Sequence, residues 1–390
     1  MGEENSLSCF EIKMKDSTIP VFFILLRAGL WGEEARLSQF ENIDYAAILQ
    51  LAEEQSVVGL ATAGLEHVAD VKVPQEWLLQ FVGETLQIEQ QNKDMNSFLC
   101  RLIEKMRTAG IYTLLVKGQG VAQCYEKPLW RACGDVDLFL SSDNYSKAKD
   151  LLIPLASEVE QEYVGAKHLG MTVDGWVVEL HGTLHVGLSK RINRVLDDIL
   201  RDTFYGGNVR SWNNNGTQVF LLGKENDVVY VFVHFLNHFY KGGIGLRQIC
   251  DWCRLLWSFK DSLNYGLIES RIRKMGLMSE WKVFGAFAVE YIGMPVDAMP
   301  MFDPSFTFQD SRFKRKVERI KDFILMSGNF GHNRDMSYYS KYPFVIRKCC
   351  SMWMRVTDLY NHARIFPLDS LRFFPRIMWN GMRSAVRGEG

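Results

Sequence analysis

Along the chain the spacing of hydrophobic positions changes twice, and these changes divide it into three parts. From about residue 18 to 110, apolar side chains recur at helical spacing. Tyr45, Ile48, Leu51 and Ala52 predict a helix over residues 44–54. Met95, Phe98, Leu99, Leu102 and Met106 predict a second, with Gly110 as its C-terminal cap. Both stripes read as packing surfaces, so this part is expected to be a helical support without chemistry of its own. From about 111 to 225 the pattern is mixed. Leu114, Leu115 and Val116 form a short apolar run that gives way at Lys117-Gly118-Gln119-Gly120 to a helix-compatible segment ending near Tyr125 and Pro128. Val136, Leu138 and Leu140 then alternate with Asp135 and Asp137 as in a strand. Ser141, Ser142 and Asp143 offer N-cap oxygens to a helix whose buried side is Tyr145, Ala148, Leu151 and Leu152. Asp174-Gly175, between two alternating runs, predicts a two-residue hairpin that pairs Val173 with Trp176, Gly170 with Glu179 and His168 with His181. Beyond about 226 the helical period returns. Residues 228–240 are apolar nearly all round and carry His234 and His238 one turn apart. After Gly242, Gly243 and Gly245 a further helix carries Arg247 and Asp251 at the same spacing. The expected class is α+β: a small mixed β-sheet with flanking helices over 111–225, embedded between helical regions at 1–110 and 226–390.

Composition changes this picture little. The 390 residues are 47% hydrophobic and 23% charged, as in folded globular proteins, and the formal net charge of -1 argues against a chain that binds polyanions over its whole surface. The eight cysteines lack the density of a disulfide scaffold, and Cys250 and Cys253 read as a helical pair of small apolar residues. The N-terminal Met-Gly-x-x-x-Ser matches a loose myristoylation pattern, but Glu3 and Glu4 favour an ordinary start. The apolar run at residues 19–26 is too short to span a bilayer, no transmembrane segment is expected, and a cytoplasmic setting is. Residues 341–390 hold nine Lys or Arg against three Asp or Glu, interleaved with Trp353, Tyr360, Phe366, Phe373, Phe374 and Trp379. That segment suits RNA, an anionic membrane or a partner protein, although its aromatics read more simply as core positions.

The candidate chemistry lies in the middle part. Side chains alternate along a strand, so Asp135 and Asp137 share a face, where two carboxylates repel unless a cation sits between them. The hairpin places His168, Glu179 and His181 on one side, with Met171, Val173, Trp176, Val178 and Leu180 on the other. Asp135, Asp137 and Glu179 then make a three-carboxylate platform for a divalent metal. The plainer alternative is an exposed strand edge and a solvated hairpin residue. Lys117 and Gly118 stand at a strand-to-helix turn, where backbone N–H groups, the lysine charge and the fork of Arg131 can meet phosphate oxygens. The alternative there is a surface lysine. His181 reads as a partner orienting a carboxylate, as a substrate contact, or as a histidine satisfied by a backbone carbonyl. His238, Arg247 and Asp251 suit a cleft wall, and Arg247 with Asp251 equally suits an intrahelical ion pair. His234 and His238 lack the glutamate of a His-Glu-x-x-His zinc site.

Gly118 at the end of a strand, a short helix and then a hydrophobic strand carrying Asp135-x-Asp137 resemble the polymerase-β-like nucleotidyltransferase superfamily. More narrowly, Leu-Leu-Val-Lys-Gly-Gln-Gly up to Gly120, residues 125–128 and Arg131-Ala-Cys-Gly-Asp-Val-Asp resemble a bacterial family of uncharacterised nucleotidyltransferases. The likeness continues through Val178-Glu-Leu-His181, Gly245-Leu-Arg-Gln-Ile-Cys-Asp251 and Gly328-Asn-Phe-Gly331. One departure stands out: the superfamily has Gly-Ser or Gly-Gly where this chain has Lys117-Gly118. The resemblance implies transfer of a nucleoside monophosphate from a nucleoside triphosphate to an acceptor hydroxyl, with Mg²⁺ or Mn²⁺ on Asp135, Asp137 and Glu179. It implies nucleotide contacts from Lys117, Gly118, Gly120, Arg131, Gly134, His181, His238, Arg247 and Asp251. A small molecule, sugar, RNA or protein remains open as acceptor, and oligomeric state cannot be read. Two rival expectations are an inactive nucleotide- or partner-binding regulator and an enzyme that adds a nucleotide to protein side chains.

Overall fold

Four helices precede the first strand of the chain: α1 (Thr18–Trp31), α2 (Tyr45–Glu54), α3 (Val58–Glu66) and α4 (Gln75–Thr108). The computed structural model describes residues 17–304, 310–331 and 343–386; the N-terminal Met-Gly pattern, Cys9 and residues 341–342 lie outside the described residues. Helix α2 starts where Asp44 accepts the Ala47 N–H at 3.1 Å. Helix α4 ends as the sequence predicts, with Gly110 at φ 70° and its N–H bonded to the Arg107 carbonyl at 2.9 Å. The α4 stripe of Met95, Phe98, Leu99, Leu102 and Met106 is buried and packs on one face of the sheet. The first region does more than support. Asn92 of α4 donates to the carbonyls of Leu129 at 2.7 Å and Arg131 at 2.8 Å, and accepts from Gln119 at 3.0 Å, so it fixes the loop that carries Arg131.

The sheet has seven strands, more than the small sheet expected. They are β1 (Leu114–Val116), β2 (Asp135–Phe139), β3 (Ala156–Val159), β4 (His168–Val173), β5 (Trp176–His181), β6 (Val209–Asn214) and β7 (Thr217–Leu222), in spatial order β3-β4-β5-β2-β1-β7-β6. Strand β2 lies between antiparallel β1 and parallel β5, so the sheet is mixed and the fold is α+β. The β4–β5 hairpin has the predicted register, His168 opposite His181 and Gly170 opposite Glu179, around Asp174 at φ 50° and Gly175 at φ 80°. The β6–β7 hairpin, turning at Asn215 and Gly216, was not expected, although Asn-Gly is the same kind of signal. Strand β7 extends the sheet by pairing parallel to β1.

Between and after the strands come α5 (Gly118–Ala122), α6 (Ser142–Leu152), α7 (Lys190–Phe204), α8 (Lys224–Lys241), α9 (Leu246–Phe259), α10 (Tyr265–Met275) and α11 (Met278–Phe287). Ser141 caps α6 by accepting from Asn144, and Tyr145, Ala148 and Leu152 face the core that also holds Val136, Leu138 and Val178. Helices α8, α9 and α11 build an aromatic core around Phe232, Trp252 and Trp281. Cys250 and Cys253 are buried one turn apart in α9. Two last helices, Phe344–Ala363 and Pro367–Val386, form a hairpin over α8. Phe366 and Phe373 face inward, but Trp353, Tyr360 and Trp379 are 72%, 65% and 59% exposed, which corrects the expectation that these aromatics are core positions. No layer covers these three among the described residues. No helix among the described residues is long and apolar enough to cross a membrane.

Candidate active site

The end of the sheet where β1 exits and β2 enters gathers the acidic residues. Parallel pairing sets Asp137 opposite Glu179, while antiparallel pairing sets Asp137 opposite Val116, so Lys117 leaves β1 beside the carboxylates. Carboxylate oxygens of Asp135, Asp137 and Glu179 lie within 4.8 Å of one another. Lys117 Nζ stands 2.7 Å from Asp137 Oδ1 and 3.4 Å from His234 Nε2. His181 Nε2 bridges Asp137 Oδ1 at 2.8 Å and Glu179 Oε2 at 3.3 Å, and His168 Nε2 reaches Glu179 Oε2 at 3.1 Å. Of the three roles open to His181, the geometry therefore supports orientation of a carboxylate.

The turn after β1 is strained. Lys117 has φ 59° and ψ -146°, a region occupied almost only by glycine, at a cost of ~1–3 kcal/mol. Gly118 follows at φ 40°. Helix α5 has five residues, so it presents little of the helix dipole expected at the phosphates. Any anion contact from this turn relies on its N–H groups and on Lys117.

Buried charges divide the site electrically. Burial would lower the Lys117 pKa, but Asp137 first, and then Tyr230, Asp135 and Glu179, together outweigh it and raise it. Asp137 beside Asp135, together with burial, pushes the Asp135 carboxyl up. Burial pushes Glu179 the same way, yet hydrogen bonds from His168 and His181 win and hold it well below the usual carboxylate range. His181 gains basicity from Asp137 and Glu179 despite burial. Burial and then the Lys117 charge depress both histidines of α8, His234 well below its usual value and His238 to about 3, so both are neutral imidazoles at pH 7.

A cavity of about 220 Å³ opens in front of the acids. Lys117 and Gly118 form its floor, His234 and His238 come from α8, and Arg247 and Gln248 come from α9. His234 and Gln248 were not among the residues expected at the site; the four-residue spacing of His234 from His238 was the available signal for the first. Arg131 and Asp251 also line the cavity, but they hold each other. Arg131 Nε donates to Asp251 Oδ1 at 3.0 Å, its Nη2 pairs with Oδ2, and Tyr125 Oη donates to Oδ1 at 2.8 Å. The guanidinium expected on phosphates is thus spent on a buried pair, and Asp251 finds its partner on another element. Arg247 donates to the Ala132 carbonyl at 2.7 Å, bracing the same loop from α9. Gly120 and Gly134 do not line the cavity. A Cβ on Gly120 would fall 2.7 Å from Leu221 Cδ2, so this glycine serves packing against β7 rather than approach to a ligand. Gly134 is exposed at the start of β2.

Three carboxylates converging from two strands are the hard oxygen donors that a divalent cation of the magnesium type takes, so the residues present fit such an ion. The family model for uncharacterised nucleotidyltransferases matches residues 41–291, more than half of the chain. A crystal structure of an antigenic nucleotidyltransferase-like protein from Paracoccidioides brasiliensis is similar at 15% identity and a TM-score of 0.31, over 55% of this chain and 96% of that one. A similarity at that score carries no argument about the site. No curated protein matches the chain.

Proposed function

We propose that this chain, which belongs to the family of uncharacterised nucleotidyltransferases, transfers a nucleoside monophosphate from a nucleoside triphosphate to an acceptor hydroxyl and releases pyrophosphate. The observation that carries the reading is the register of β2 against β5, which sets Glu179 beside Asp137 at the mouth of a cavity floored by Lys117 and Gly118. Asp135, Asp137 and Glu179 would hold Mg²⁺ or Mn²⁺, which when bound supplies charge neutralisation at the phosphates and activation of the acceptor oxygen. Lys117 binds phosphate oxygens once it turns from Asp137, and Gly118 beside it lines the same cavity. Glu179, kept ionised by His168 and His181, is the group that would hold the metal nearest the acceptor or take the acceptor's proton. His181 orients both Asp137 and Glu179. His234 and His238, neutral in the cavity wall, contact base, sugar or acceptor. Arg131 and Asp251 act at one remove, as the brace that holds the loop leading into β2.

The test is release of pyrophosphate from each nucleoside triphosphate with Mg²⁺, over a screen of small-molecule, sugar, RNA and protein acceptors. Asp137→Asn is expected to abolish it by a factor of ~100 or more; release that persists in this variant refutes the mechanism. The ion pair between Lys117 and Asp137 favours one second reading, a regulator that binds nucleotide without turnover. Calorimetric binding of a nucleoside triphosphate with no pyrophosphate from any acceptor would favour it. Transfer of label from a nucleoside triphosphate to discrete protein bands in a lysate would instead identify a protein-modifying enzyme.

A further inference from the structure

His168 presents a problem that the transfer reading leaves over. It stands on β4, outside the nucleotide cavity, yet it aims Nε2 at a carboxylate that His181 already bonds. The hairpin register makes this unavoidable. His168 faces His181 across the strands, Gly170 faces Glu179, and all four positions share one side of the pair. The two imidazole rings are 4.8 Å apart between centres, and the atoms offered by His168, Glu179 and His181 all lie within 4.8 Å of one another. Both nitrogens approach the same Oε2, at 3.1 Å and 3.3 Å. Ligand atoms about 2.1 Å from a tetrahedral zinc ion stand about 3.4 Å from one another, close to these two contacts, so a small adjustment of the three side chains would let them share an ion.

A second observation points the same way. Gly170 has no side chain to occupy the face beside Glu179, and the space is taken by another acid: a Cβ built there would lie 2.5 Å from Glu160 Oε2. Glu160 is exposed and adds negative charge next to the His-Glu-His group. Two imidazoles with carboxylates are a donor set for borderline first-row ions, whereas the all-oxygen trio of Asp135, Asp137 and Glu179 suits magnesium.

We propose that His168, Glu179 and His181 form a second cation site, selective for a transition-metal ion of the zinc type, which adjoins the acid trio and shares Glu179 with it. Glu179 then links the two sites. An ion held by His168, His181 and Glu179 would fix that carboxylate in place beside Asp137. The proposal goes beyond nucleotidyl transfer and touches it at one point, because an ion on His181 Nε2 would take the place of the proton through which that ring bonds Asp137 and Glu179; its readouts are metal content and spectra rather than turnover.

The test uses the full chain stripped with chelator and titrated with Co²⁺ in excess Mg²⁺, since Co²⁺ reports nitrogen ligands through its visible absorption. One Co²⁺ per chain is expected, with intense bands that Zn²⁺ abolishes by displacement. His168→Ala should weaken Co²⁺ binding at least ~10-fold and bleach those bands, and Asp135→Asn should leave both in place. His168→Gln, which keeps a hydrogen bond to Glu179, and circular dichroism of each variant separate loss of a ligand from loss of the fold. Absence of Co²⁺ binding in excess Mg²⁺ overturns the proposal, as does binding unaffected in folded His168→Ala and His168→Gln. Loss in Asp135→Asn equal to that in His168→Ala also overturns it, because it would mean one all-acid site.

Discussion

Lys117 places an ammonium group among the acids of the candidate site, and replacing it separates two effects that the structure superimposes. The pair with Asp137 spans 2.7 Å, and the two side chains are 15% and 2% exposed. Removing one partner of such a buried pair strands the other charge and costs ~3–5 kcal/mol. The same residue holds a backbone conformation, φ 59° and ψ -146°, that costs ~1–3 kcal/mol for any side chain but is open to glycine. Lys117→Met loses the charge and keeps the strain. Lys117→Gly loses the charge and releases the strain, less ~0.5–1 kcal/mol for the entropy of the unfolded glycine. Urea unfolding without divalent ions should therefore find the Met variant less stable than wild type by ~3–5 kcal/mol and the Gly variant ~1–2 kcal/mol more stable than the Met variant. A divalent ion can then replace the missing positive charge. At about 100 times its dissociation constant Mg²⁺ adds ~2.7 kcal/mol to a state that binds it. The variants should gain more from Mg²⁺ than wild type, in which the ammonium competes for Asp137. A Met variant as stable as wild type without divalent ions refutes the reasoning about charge, and a Gly variant no more stable than the Met variant refutes the reasoning about strain.

Two further outcomes follow from buried charges away from the acid trio. Glu280 is fully buried, accepts from Tyr240 Oη at 3.0 Å, and is pushed by burial up to about 8 from 4.5. The folded state therefore binds the extra proton between those values, and this group's contribution, complete below pH 4.5, is lost at ~1.4 kcal/mol per pH unit as the pH rises towards 8. Glu280→Gln should flatten the fall in stability between pH 5 and 7.5 measured by urea unfolding, and an unchanged slope would count against the assignment. Arg131→Ala should cost ~3–5 kcal/mol by stranding Asp251. A double-mutant cycle with Asp251→Ala should show the double variant markedly more stable than the sum of the two losses, whereas additivity would mean the two side chains do not act as a pair.

Much of the site could be read along the chain because it depends on period and turn chemistry. Asp135 and Asp137 had to share a face once the segment was a strand. His168, Glu179 and His181 had to meet once Asp174-Gly175 closed a two-residue turn, and the observed pairing is the one those residues imply. The α4 stripe and its Gly110 cap are local in the same sense. Other features depended on which distant segments pack together. Parallel pairing of β2 with β5, which brings Glu179 to Asp137, joins segments with no shared turn to set their register. Arg131 finds Asp251 across 120 residues, whereas the sequence offered phosphate oxygens to Arg131 and Arg247 as one partner for Asp251. Gly120 proved to be a packing residue because β7, unforeseen as a neighbour, brings Leu221 against it. Trp353, Tyr360 and Trp379 have the composition of a core, but in the hairpin that carries them they are left exposed.

Backbone geometry and local hydrogen bonding make period, caps and tight turns properties of a few adjacent residues, so the acid-bearing strand and the His-Glu-His hairpin are written locally in the chain. Register between distant strands, the choice of partner for a buried charge and the strain at Lys117 are set when the whole chain buries its apolar surface at once. Only the tertiary structure could decide those, because each depends on side chains that the sequence leaves far apart.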